Sequence, residues 1–63
     1  MRQIDLNGPQ GNAFALLGMA QQWAKDLGKD AKTITDEMTS GDYENLVQVF
    51  KREFGNVCEV YYG

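Results

Sequence analysis

Sixty-three residues carry nine acidic and six basic side chains, a net charge of −3, with one cysteine and no histidine. One thiol makes neither an internal disulfide nor a structural zinc site, and a domain this short buries only ~60% of its unfolded surface, so oligomerisation is the aid left to it. The basic residues Arg2, Lys25, Lys29, Lys32, Lys51 and Arg52 are scattered, which excludes a stripe that neutralises phosphates and with it general nucleic-acid binding.

Ile4 and Leu6 alternate with Gln3 and Asp5, the pattern of a short half-buried strand. Asn7-Gly8-Pro9-Gln10-Gly11 breaks it with turn residues. Asn12 is placed to cap a helix from Ala13 to Leu27, with Ala13, Leu16, Leu17, Ala20, Trp23, Ala24 and Leu27 on one face and Phe14 and Met19 widening it. So broad an apolar arc marks this as the central helix, and Gly28 ends it. Asp30 opens a shorter helix whose Ala31, Ile34 and Met38 share a face, ending at Ser40-Gly41. Asp42 caps a third, from Tyr43 to Phe54, with Tyr43, Leu46, Val47, Phe50 and Phe54 apolar. Val57 to Tyr62 is rich in strand formers.

The order predicts one compact α+β domain over residues 1–63, β-α-α-α-β. The two terminal strands are expected to pair antiparallel, with the helices packed on one face. A two-stranded sheet is marginal and has open edges. Val57, Val60, Tyr61 and Tyr62 are therefore the expected interface of a homo-oligomer. No apolar run approaches the ~20 residues of a membrane span. Met1-Arg2-Gln3-Ile4-Asp5 turns polar too soon for a signal peptide. The expected location is the cytoplasm, where a lone thiol stays reduced.

Few residues invite chemistry. Gly8, Gly11, Asn12 and Ala13 lie between a strand and a helix N-terminus, the topology that offers N–H groups to a phosphate. The loop has no Lys or Arg and no P-loop pattern, so a tight turn with an N-cap is the better account of it. Trp23, Tyr43, Tyr61 and Tyr62 could stack on a base or anchor a protein, although Trp23 and Tyr43 also fit helical core faces. Cys58 sits between Val57 and Glu59 without a base, as a small core residue would. Asp36, Glu37, Asp42 and Glu44 could serve acid–base work or a divalent ion, and helix capping and solvation account for them as well. The reading is of a protein with no catalytic, metal or cofactor site.

Ile4-Asp5-Leu6, Gly8-Pro9, Gly11-Asn12-Ala13-Phe14, Met38 followed by Gly41-Asp42-Tyr43, and the Phe50…Phe54-Gly55 ending together give a resemblance. The chain resembles a family of small uncharacterised proteins of tailed bacteriophages and prophages. The resemblance carries no activity; it implies context. Such proteins often act by binding, which makes the expected function that of a non-enzymatic accessory protein in the host cytoplasm. Its expected partner is a host protein, in host takeover or counter-defence. The alternatives are a sponge for an anionic, nucleotide-like signal, with Tyr43 stacking on the base, and a virion assembly component.

Overall fold

A computed structural model, which describes residues 2–63, runs through strand β1 (Arg2–Asp5), a 3-10 turn (Pro9–Gly11) and helices α1 (Ala13–Asp26), α2 (Ala31–Met38) and α3 (Tyr43–Phe54). It ends in strand β2 (Cys58–Tyr61). Each helix begins where a short polar side chain takes up an otherwise free N–H. Asn12 Oδ1 accepts from Ala15 at 2.8 Å, Asp30 Oδ1 from Thr33 at 3.2 Å and Asp42 Oδ1 from Asn45 at 2.9 Å. Helix α1 stops at Gly28, whose φ of 72° suits a residue without Cβ. Gly28 N–H donates to the Lys25 carbonyl and Lys29 N–H to that of Ala24, the paired bonds of a Schellman ending.

Helix α3 buries more of its side chains than α1, the helix expected at the centre. Leu46, Val47, Val49, Phe50 and Phe54 are all buried on α3, whereas α1 buries Leu16, Ala20 and Ala24. The two also differ in side-chain size. The buried positions of α1 include two small alanines, whereas α3 supplies the large rings Phe50 and Phe54, both fully buried. Trp23 is half-buried and finishes the job from α1. Its ring centroid lies 5.7 Å from Phe50 and 5.8 Å from Phe54, the spacing at which tilted rings attract. The Arg2 guanidinium covers the outer side of the indole at 5.6 Å.

The strands pair in parallel, not antiparallel: Arg2 lies beside Cys58, Gln3 beside Glu59, Ile4 beside Val60 and Asp5 beside Tyr61. The expected antiparallel ribbon is thereby corrected. The reason is the parity of chain reversals. Three helices joined by short turns cross the domain an odd number of times, so the chain re-enters the sheet from the end where β1 began. A parallel pair needs such a long crossover, where an antiparallel pair is satisfied by a hairpin. The helices do lie on one face: Ile4, Leu6 and Cys58 are buried beneath them, while Gln3, Glu59 and Tyr61 are exposed. Beyond β2, the Asp5 carboxylate accepts from the N–H groups of Asn7 at 2.9 Å and Gly63 at 2.8 Å. The Asn7 amide donates to the Gly63 carbonyl at 2.7 Å. These bonds clasp the segment after β2 to the turn after β1.

Candidate functional site

The loop between β1 and α1 is occupied with its own construction. Gly8 N–H donates to the Asp5 carbonyl at 2.9 Å and Gly11 N–H to the Gly8 carbonyl at 3.0 Å. Two of the donors offered to a phosphate are thus already engaged. Asn12 caps α1 with Oδ1, and its Nδ2 donates to the Pro9 carbonyl at 2.8 Å. Gly11 is buried because the backbone of Leu6 passes against it: a Cβ there would lie 1.9 Å from the Leu6 carbonyl oxygen. The glycine admits the chain's own carbonyl.

Tyr43 is fastened to this loop from α3. Its hydroxyl donates to the Gly11 carbonyl, and burial, with a smaller contribution from Tyr62, pushes the phenol's pKa up. Ala13 and Tyr43 come together with Phe14, Leu17 and Leu46 around a shallow pocket of about 320 Å³. On its other side, Tyr43 lines a groove with Leu6, Val47, Val60 and Tyr62. The structure therefore brings Ala13 and Tyr43 to one pocket face, with Gly11 buried behind it and bonded to the Tyr43 hydroxyl, while Gly8 and Asn12 do not line it. Phe14 dominates that face: it is 86% exposed.

Phe14 is the residue that sequence reasoning misplaced. Treated as the flank of a core face, it lies ~200° around the helix from Leu16, at 100° per residue. It therefore stands away from the Leu16, Ala20 and Ala24 stripe. That angle was the available signal. The acidic neighbours of the face are Asp42, which lines the Phe14 pocket, and Glu44, which lines the groove.

The other candidate residues are dispersed. Val57 and Val60 are half-buried, whereas Tyr61 and Tyr62 are exposed, on opposite faces of the strand direction. Cys58 is buried, its thiol donating to the Phe54 carbonyl at 3.3 Å, and burial pushes its pKa up. Asp36 pairs with Lys32 at 2.8 Å, and Glu37 with Arg52 at 2.6 Å. Among the described residues, no group of three His, Cys, Asp or Glu side chains could hold a metal ion, and no helix is long and apolar enough to cross a membrane. No family model, curated protein or solved structure matches the chain.

Proposed function

We propose that this chain is a non-enzymatic accessory protein that binds a host protein through the face formed by Phe14, Leu17, Tyr43 and Leu46. The observation that carries this reading is the exposure of Phe14, 86% in water at the rim of an apolar pocket. Aromatic anchors beside a pocket are the groups that dominate binding energy at protein interfaces. Tyr43 is held in place by its bond to Gly11, so little ordering entropy is lost when a partner closes on it. Asp42 and Glu44 border the face, which favours a partner whose apolar patch has a Lys- or Arg-rich rim. The resemblance to small phage proteins supplies the setting: a host cytoplasm and a role in takeover or counter-defence.

The test is capture of a host protein from lysate by immobilised wild type and by Phe14→Asp, followed by calorimetry with the purified partner. A partner held by wild type and lost by Phe14→Asp is the expected result. Equal retention by both proteins removes this face from the function.

A further inference from the structure

In an extended strand the N–H and C=O of one residue address one edge, and those of the next residue the other. Leu6 N–H donates to the Tyr61 carbonyl at 2.7 Å, so Tyr61, and Glu59 before it, turn their backbone groups to β1. Cys58, Val60 and Tyr62 therefore turn theirs to the opposite edge. The sheet has two strands, so no strand lies there, and among the described residues no other group bonds the backbone of Cys58 or Val60. The far edge of β1 differs. The 3-10 turn packs beside that strand, and the outward carbonyl of Asp5 is taken by Gly8 N–H at 2.9 Å. Beside the open edge of β2 lies a groove of about 230 Å³ lined by Lys51, Gly55, Cys58, Glu59 and Val60. Tyr62, on the same side of the strand as Cys58 and Val60, is 67% exposed.

We propose that this edge pairs with the β2 of a second copy, antiparallel across a two-fold axis at Val60, and that Tyr62 of each subunit seats in the groove beside Cys58 of the other. The register follows from bonds and charge. With the axis at Val60, that residue faces its own copy and Cys58 faces Tyr62 of the partner subunit. All three outward residues then exchange their backbone bonds. Glu59 meets Tyr61 of the partner subunit. An axis at Glu59 would set two carboxylates directly opposite, which destabilises a pair. An axis at Tyr61 would set Tyr62 of the partner subunit opposite Val60 and away from Cys58. Directly opposed residues project to the same face, so in the Val60 register the partner's Tyr62 arrives over Cys58, where the groove is. The same register keeps both helical layers on one side of the joined sheet. One short strand and one ring make a contact smaller than the ~800 Å² per partner of a standard interface, so association in the micromolar range is expected. This contact excludes Phe14 and stands independently of the proposed function.

Sedimentation equilibrium from low micromolar to near-millimolar chain tests it. The mass should rise from 7.1 kDa toward twice that value. Val60→Pro removes the outward N–H on the axis without touching a bond to β1, and should abolish the rise. Tyr62→Ala, which leaves the backbone alone, should weaken association at least tenfold. In a Cys58→Ser background, Val60→Cys should give a covalent dimer under mild oxidation and Gln3→Cys should not. Phe14→Asp should leave the mass curve unchanged. A 7.1 kDa mass at every concentration, undiminished association by folded Val60→Pro or by Tyr62→Ala, or equal cross-linking through Gln3→Cys overturns the proposal.

Discussion

Where α2 meets α3, exposed side chains hold one another. Arg52 bonds both carboxylate oxygens of Glu37, at 2.6 and 2.7 Å, and also the carboxylate of Glu53. Lys29 donates to the Glu53 carboxylate at 3.2 Å and to its backbone carbonyl at 2.9 Å. Where α1 begins, the arrangement is reversed. Asn12 and Tyr43 are bonded to the loop, yet the most exposed large side chain there, Phe14, projects into water without another aromatic ring against it among the described residues. The first region shows side chains used on the fold. The second shows a rigid platform presenting a side chain on which the fold does not depend. A position of that kind is free to be specified by a partner.

Substitutions should separate the two regions, beginning with the platform itself. Gly11→Val is expected to abolish cooperative folding, because the added Cβ would collide with the Leu6 carbonyl oxygen at 1.9 Å, and backbone cannot step aside. Circular dichroism during heating reads this directly, and a melting transition like that of wild type would refute the close approach. The loss would report on the fold, so Gly11→Val cannot locate a ligand.

Phe50→Ala comes next. The ring is fully buried and stacks on Phe54 at 5.3 Å, so its removal should cost ~3–5 kcal/mol, the sum of lost transfer energy and a cavity. Urea unfolding with an unchanged slope would give the figure. A loss below ~1 kcal/mol would show that the core does not rest on this ring.

The ion pairs should contribute less. The Arg52 guanidinium beside Glu37 lowers that carboxylate's pKa from its usual 4.5, and Glu53 is lowered in the same way by Arg52 and then Lys29. A carboxylate whose pKa falls on folding binds its proton more readily when unfolded. Its contribution is present above pH 4.5 and is lost as pH falls through the lowered folded values. Both carboxylates are half-buried and still reach water, so the effect is small and screened by salt. Arg52→Gln should flatten the acid limb of the melting temperature against pH. An unchanged limb would show that the pairs carry no stability.

Much of this fold was legible because helices announce themselves locally. The caps Asn12, Asp30 and Asp42 and the stop at Gly28 could be read residue by residue, and the structure has them where the pattern put them. Strand sense was not legible in that way. Nothing in Ile4 or Val60 says whether two strands run alike; that depends on how often the chain turns back between them. The packing around the loop was illegible for a related reason. Gly11 has the composition of a ligand-cradling loop, but what it accommodates is the backbone of Leu6, a contact that residue type alone does not announce. Phe14 matched an apolar face by residue type and missed it by angle.

The sharpest division between the regions is the smallest expected stability change. Phe14→Asp removes a ring that is 86% exposed and places an acid in the first turn of α1, where the helix dipole favours it. The unfolding free energy should stay within ~0.5 kcal/mol of wild type. Measuring unfolding and partner capture on the same preparation tests whether this residue serves binding alone. The expected result is an unchanged unfolding curve with capture lost. Capture retained at wild-type strength by the folded variant would contradict it.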